Sequence, residues 1–318
     1  MSPSYLALAG PTASGKTACL VNRARAIPMI AISADSRQAY RHLDIGTGKP
    51  TNTELQILPH YGLDCVKPGI FYSVYLFLTF AAAGLAAARQ QGRQVWVCGG
   101  AGLYIRVLAE RLPLRSGPRP QLRQALKHHL AHKQPRDVAA ALGVSVKDPD
   151  NPVRVLRAAE SACADPQQCA LIYSWCGLAP SAAEQDAAAS GGQLDAAVRS
   201  ELAQWSCAGV AVLDPGRDEL NRRIELRVRQ MFASGLVDEV AELRRLGYGE
   251  TDVVHNSIGY REAGAVLDGQ LSLEAATAET IVRTRQYAKR QRTYFRGRGW
   301  PVIAEAQLDD WAAATARP

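Results

Sequence analysis

No Cys-x-x-Cys pair occurs in the 318 residues, and the seven cysteines (Cys19, Cys65, Cys98, Cys163, Cys169, Cys176 and Cys207) are an odd number. Those two facts argue against a zinc site and a disulfide framework and suit reduced thiols in the cytoplasm. No charged stretch followed by an apolar run opens the chain, so a secretory signal is not expected. One uncharged run, the 18 residues from Phe71 to Ala88, invites comparison with a membrane span. Its second half is mostly alanine with Gly84, only weakly apolar, and it lies between strand-like segments. A helix buried on a sheet is the expectation, and no membrane partner.

The hydrophobic content of 47% is that of a globular protein, and the formal net charge of +7 permits a polyanionic partner. The most informative stretch is Gly10-Pro11-Thr12-Ala13-Ser14-Gly15-Lys16-Thr17, which fits G-x-x-x-x-G-K-[ST]. A buried strand, Tyr5–Ala9, is expected to run into it and a helix to run out of it from Lys16 to Ala26. In that context the motif is a phosphate-binding loop. Gly10 and Gly15 let successive N–H groups face one concavity at a helix N-terminus. Lys16 adds a point charge, and the Thr17 hydroxyl can ligate Mg²⁺. Something carrying a di- or triphosphate is expected here.

Strand-like stretches at 29–33 and 94–98 alternate with helical ones, as in an α/β fold with a parallel sheet. Ligands in such folds sit beyond the strand C-termini, where 10–17, 33–40 and 99–104 lie. From Pro113 the texture changes. Pro118 and Pro120 follow, 121–142 reads as helix, 179–197 reads as a loop rich in Ala, Ser and Gly, and strand signals vanish until 209–213. The expected organisation is therefore a P-loop NTPase-like core, 1–113 plus 207–318, interrupted by a mainly helical insertion, 114–206. Leu220, Ile224, Val228 and Met231 make one apolar helical stripe. A last long helix is expected from a Ser272 cap to about Arg296.

Asp35, at the end of the second strand, shares the sheet edge with the P-loop. Its carboxylate could bind Mg²⁺ or accept a proton, and a turn cap is an equally good reading. Ser36 and Gln38 add groups able to read a base edge. In the turn 44–50, Thr47 and Lys49 would be phosphate donors if that loop folds toward the P-loop. Gly99-Gly100-Ala101-Gly102 is either a close approach to a ligand or tight packing. Residues 283–298 hold seven basic side chains and no acid. Arg285, Lys289, Arg292 and Arg296 fall on one helical face, with Tyr287, Tyr294 and Phe295 interleaved, which suits a nucleic-acid backbone with bases to stack.

Eight blocks in this order resemble the tRNA dimethylallyltransferase (tRNA isopentenyltransferase) family. They are GPTASGKT at 10–17, DSRQAY at 35–40, DIGTGKP at 44–50, GGAGLY at 99–104, NPVRVLRAAE at 151–160, the arginine-rich run at 217–228, NSIGYRE at 256–262 and TRQYAKRQRTYFR at 284–296. The resemblance implies transfer of the dimethylallyl group from dimethylallyl diphosphate to N6 of the adenosine just 3′ of the anticodon, with pyrophosphate leaving. It makes the P-loop a cradle for a leaving group, with Mg²⁺ as cofactor. Asp35, Lys16 and Arg223 become the catalytic residues, and Ala101 joins the P-loop in holding the diphosphate. Segments carrying Asp35, Ser36, Arg37, Gln38, Arg123, Arg154, Arg157, Asn256, Gly259, Tyr260, Arg261, Arg285, Lys289, Arg290, Gln291, Arg292 and Arg296 match tRNA-contacting ones. The insertion matches the part that grips the anticodon stem-loop, and a monomer is implied.

Two departures stand out. Where the family has threonine in GGTGLY, this chain has Ala101, and one lost donor at a developing charge costs on the order of 2–3 kcal/mol. The stretch 161–208 barely matches. Transfer to a free adenine nucleotide, RNA binding without catalysis, and a P-loop kinase or ATPase are the alternatives.

Overall fold

A computed structural model describes residues 3–112, 114, 119–163, 165–179 and 194–315. Most of the Ala-, Ser- and Gly-rich run at 179–197, with Pro113 and Pro118, lies outside these residues. Two compact units are present, one of residues 1–112 and 196–318 and one of residues 113–195.

In the first unit six strands form one parallel sheet: β1 (Ser4–Ala9), β2 (Met29–Ser33), β3 (His60–Tyr61), β4 (Gln94–Gly99), β5 (Ser206–Leu213) and β6 (Val302–Ile303). Their order is β3-β2-β4-β1-β5-β6, all neighbours parallel. β3 and β6 are too short for an alternation pattern and were not expected from the sequence. Both sheet faces are covered, which is why β1 and β2 read as continuous apolar runs. On one face Leu6, Leu8, Met29, Ala31, Trp96 and Leu213 pack with Leu20 and Val21 of helix α1 (Lys16–Ala24) and Leu308.

The chain continues through α2 (Asn52–Ile57), α3 (Val74–Gln91) and α4 (Gly102–Ala109). α3 takes up most of the uncharged run and ends past it with Arg89 in its last turn; a Ser73 cap on the Leu76 N–H begins it. It lies on the sheet rather than in a membrane. Gly84 explains how closely it lies, since a Cβ there would sit 3.0 Å from Tyr61. Among the described residues no helix is long and apolar enough to cross a membrane.

The second unit contains α5 (Pro120–His132), α6 (Pro135–Ala141), α7 (Pro152–Ala162) and α8 (Pro166–Trp175). Each starts on proline, whose missing N–H costs nothing at the first helical position. Pro135 is also why the expected single helix over 121–142 is two. Leu122, Leu126, Val138, Val155, Ala159 and Ile172 form the core of this unit.

The chain then re-enters the first unit earlier than expected. α9 (Ala196–Ala203) belongs to the sheet-bearing unit, tied to α3 by the Arg89–Glu201 ion pair at 2.7 Å. The expected boundary at 206 therefore moves to 195. After β5 come α10 (Arg217–Ala233), α11 (Leu236–Arg245), α12 (Asp252–Asn256), α13 (Tyr260–Leu267), α14 (Leu273–Arg296) and α15 (Leu308–Thr315). The buried stripe of α10 is Leu220, Ile224, Val228 and Phe232, a strict step of four that leaves Met231 half-buried at a cleft. α14 starts at Ser272, whose hydroxyl accepts from the Ala275 N–H at 3.1 Å.

Candidate active site

Strand register assembles the site. β4 lies between β2 and β1, pairing Ser33 with Cys98 and Ala9 with Gly99. The loops that follow these three strands therefore leave one sheet edge side by side. Together with α10, loop 44–50, the 256–260 turn and α14 they enclose a cleft of about 920 Å³ within the first unit.

The P-loop curls as its glycines predict. Gly15 has φ 95°, and Ala13, with φ 62°, shares the left-handed turn. Lys16 Nζ donates to the carbonyls of Gly10 (3.0 Å) and Pro11 (2.8 Å) and approaches Ser14 Oγ (3.3 Å). Burial lowers the Lys16 ammonium below the ordinary lysine range, and the Asp35 carboxylate partly restores it. Arg223 reaches across from α10, its Nη1 donating to the Ser14 carbonyl at 3.1 Å and its Nε to Glu219 at 2.6 Å. The resemblance put Arg223 near the diphosphate, and the structure puts it over the P-loop. Arg217, at the exposed start of α10, does not line the cleft.

Asp35 satisfies both readings of its position. Its Oδ1 accepts the Arg37 N–H (2.8 Å) and the Gln38 N–H (3.4 Å), which fixes the carboxylate as a turn cap. Its Oδ2 has no hydrogen-bond partner among the described residues, and Asp35 lines the cleft. Gln38 Nε2 donates to the carbonyls of Thr47 (3.4 Å) and Gly48 (3.1 Å) and its Oε1 accepts from Ser33 Oγ, so it ties loop 44–50 to β2.

That loop corrects one expectation. Thr47 and Lys49 border the cleft but spend their donors on neighbouring protein groups. The Thr47 hydroxyl bonds the Leu43 carbonyl at 2.5 Å, and Lys49 Nζ lies 2.6 Å from Asp44 and 2.5 Å from Asp64. The cation that loop 44–50 brings to the cleft is Arg227 of α10, whose Nη2 donates to the Thr47 carbonyl at 3.0 Å. Burial lowers the affinity of its guanidinium for its proton, with the Asp35 charge opposing. Sequence reasoning missed Arg227. The signal was its spacing of four from Arg223, beside the buried Ile224/Val228 stripe.

The Gly-rich loop is tight packing. A Cβ at Gly99 would fall 2.1 Å from the Ala34 carbonyl oxygen, at Gly100 2.3 Å from Gln291 Nε2, and at Gly102 2.2 Å from Tyr294. Ala101 is the N-cap residue of α4, without a side-chain cap, and its N–H donates to the Ala34 carbonyl at 3.0 Å.

The basic stripe on α14 is divided rather than continuous. Arg285 pairs with Glu225 at 3.0 Å and Arg292 with Asp214 at 2.7 Å, so acids of neighbouring elements neutralise two of the four cations. Lys289 and Arg296 are exposed. The cleft side of α14 instead includes Arg283, Thr284, Gln286, Tyr287, Arg290 and Gln291. Arg290 lies 5.8 Å from the Tyr287 ring centroid, and Arg283 pairs with buried Glu262.

Of the 256–262 block, Asn256 and Tyr260 line the cleft and Arg261 is exposed. Gly259 turns the chain at φ 92°. Tyr260 is a brace rather than an open contact, buried and bonded to Glu239 at 2.5 Å. Burial, then the Glu239 charge, raises its phenol well above the ordinary value.

Arg123, Arg154 and Arg157 belong to the helical unit. Arg123 makes two bonds (2.7 and 2.6 Å) to the carboxylate of fully buried Glu160, which also accepts from Arg157 at 2.8 Å. Arg154, 3.3 Å from Asp148, is more exposed.

For a divalent cation the chain offers little. Among the described residues no group of three His, Cys, Asp or Glu side chains could hold a metal. The Thr17 hydroxyl lines the cleft with no hydrogen-bond partner among them. One protein oxygen, completed by phosphate oxygens and water, is a donor set that fits Mg²⁺.

Comparison with known proteins follows the same lines. The IPP transferase family model matches residues 38–298, and the isopentenyl transferase model matches residues 4–66. A tRNA dimethylallyltransferase of Myxococcus xanthus is 36% identical over 301 residues, covering 92% of this chain and 90% of that protein. One from Anaeromyxobacter dehalogenans is 38% identical over 296 residues, covering 91% and 88%. Among solved structures, the tRNA isopentenylpyrophosphate transferase of Bacillus halodurans aligns with a TM-score of 0.64 at 26% identity, covering 99% of this chain and 97% of that one. The Staphylococcus epidermidis protein of that kind aligns at 0.63 and 27%, covering 98% of each chain.

Proposed function

The chain belongs to the IPP transferase family, and from there we propose that it moves the dimethylallyl group of dimethylallyl diphosphate onto N6 of a tRNA adenosine just 3′ of the anticodon. The observation that carries this reading is the placement of Asp35 and the P-loop on one sheet edge, facing the same cleft. The N6 lone pair forms a bond to the allylic carbon as the carbon–oxygen bond to the diphosphate breaks. Pyrophosphate leaves, and the N6 proton passes to Asp35 Oδ2. Binding Oδ1 to two backbone N–H groups fixes the carboxylate before the amine arrives, so little reorganisation is left for the reaction itself.

Negative charge grows on the departing diphosphate. Lys16, Arg223 and the P-loop N–H groups are set where that charge develops, and their attraction is greatest in the transition state. Arg227, one turn along α10 from Arg223, adds a further half-buried cation. Mg²⁺, held by Thr17 and the diphosphate, would supply further neutralisation. A large exocyclic-amine acceptor must present its base unstacked to enter the cleft, and Tyr287 beside Arg290 offers a surface for it. Action as a monomer and a cytoplasmic location, which seven free thiols suit, complete this reading.

The test is to incubate the purified protein with dimethylallyl diphosphate and an anticodon stem-loop and read the nucleosides by mass spectrometry. N6-dimethylallyladenosine in the stem-loop supports the proposal. Transfer to AMP alone, or label from γ-phosphate-labelled ATP on any acceptor, overturns it.

A further inference from the structure

Gln291 was expected on the RNA side of α14. It is buried instead, and both ends of its amide bond to the catalytic floor. Oε1 accepts the Thr12 N–H of the P-loop at 2.8 Å, and Nε2 donates to the Gly100 carbonyl at 3.0 Å. The partners fix the orientation of the amide, because an N–H can meet only the oxygen and a carbonyl only the NH₂. Gly100 carries the imprint of this contact. It is absent from the positive-φ glycines, so its backbone does not demand glycine. The nearest obstacle to a Cβ is Gln291 Nε2 at 2.3 Å, and the next is Gln291 Cδ at 3.5 Å.

We propose that Gln291 is a positioning residue that holds the P-loop and the 99–102 loop in register and makes diphosphate binding depend on how α14 is seated. This rests on the transfer reaction proposed above. The same helix carries Tyr287 and Arg290 in the cleft and Lys289 and Arg296 on its exposed surface. An acceptor that engages those side chains acts on a helix bonded directly to the loop that holds the leaving group. The Thr12 N–H serves this clamp, so the anion is left to the N–H groups further along the P-loop.

The test separates a clamp from an RNA contact. For Gln291→Met the expected result is a KM for dimethylallyl diphosphate raised about tenfold, as for a lost buried hydrogen-bond pair, and a lower kcat. The KM for the stem-loop stays unchanged. Gln291→Glu, which still accepts from Thr12, falls between it and the wild type. Gly100→Ala impairs the wild-type protein but adds little in a Gln291→Ala background, where the obstructing amide is gone. A raised stem-loop KM with an unchanged diphosphate KM overturns the proposal, as does full additivity of Gly100→Ala and Gln291→Ala. Calorimetric titration of inorganic pyrophosphate into the same variants, with melting temperatures checked, reads the clamp without turnover. A wild type that binds pyrophosphate but prenylates no RNA would refute the transfer reading and leave the clamp to be judged on those titrations alone. Equal pyrophosphate affinity in wild type and Gln291→Met would refute the clamp.

Discussion

The ammonium of Lys16 lies 2.8 Å from the carbonyl oxygen of Pro11, inside the loop to which it belongs. Burial there favours the neutral amine, so Lys16 loses its proton at a lower pH than an ordinary lysine. A bound diphosphate favours the charged form and raises that value again. Diphosphate affinity is therefore expected to fall as pH rises through the lowered value, and binding in that window should take up a proton. Calorimetry in alkaline buffers of different ionisation heats measures the uptake. Binding heats independent of the buffer would contradict it.

Asp35→Asn separates the two jobs of that carboxylate. Asparagine Oδ1 can still cap Arg37 and Gln38, since asparagine is as good a cap as aspartate. It cannot take the N6 proton. Turnover should drop by about 10²–10⁴, while stem-loop and pyrophosphate affinities stay within about twofold of wild type. An unchanged kcat would remove Asp35 from the proton transfer.

Ala101→Thr should help twice over. A threonine at the uncapped start of α4 supplies a side-chain oxygen, which stabilises by about 1 kcal/mol and raises Tm by about 1–2 °C. By the resemblance, which puts residue 101 at the diphosphate, the hydroxyl should also speed transfer by about tenfold or more. A gain in Tm with no gain in kcat would confine Ala101 to the helix end.

The cations of α14 should sort by their partners. Lys289→Ala and Arg296→Ala remove exposed charges and should each lower the salt slope of stem-loop binding by about one, with Tm unchanged. Arg292→Ala leaves Asp214, whose side chain is 9% exposed, without its ion pair, so Tm should fall instead, by an amount corresponding to about 1.5–3 kcal/mol. Equal effects of all three substitutions on the salt slope would contradict this division.

How much of this was legible in the sequence depends on the range of the interaction. β1, the P-loop, β2, the Ser272 cap and α14 rest on local periodicity and turn chemistry, and they appear where the sequence puts them. β3 and β6, of two residues each, have no periodicity to detect. The pairing of Arg292 with Asp214 and of Arg285 with Glu225 joins residues far apart in sequence, so a run without acids looked like an open basic face. Gln291 was misplaced for the same reason. Its partners, Thr12 and Gly100, are brought to it only by the strand order. Arg227 was within reach, since its spacing from Arg223 already placed both on one side of α10.

Loop 44–50, by composition a turn, is fastened from outside itself. Glu239 of α11 accepts the N–H groups of Asp44 (3.1 Å), Ile45 (2.8 Å) and Gly46 (3.4 Å), while the Tyr260 hydroxyl bonds the same carboxylate. Arg227 and Gln38 hold its carbonyls. Opening this loop would strip an acid and an arginine of their partners at once, so its amides are expected to exchange with solvent together with those of α10, α11 and the Tyr260 turn. The rim of the cleft is therefore tied into the helices behind it, and loop and helices should open as one cooperative unit.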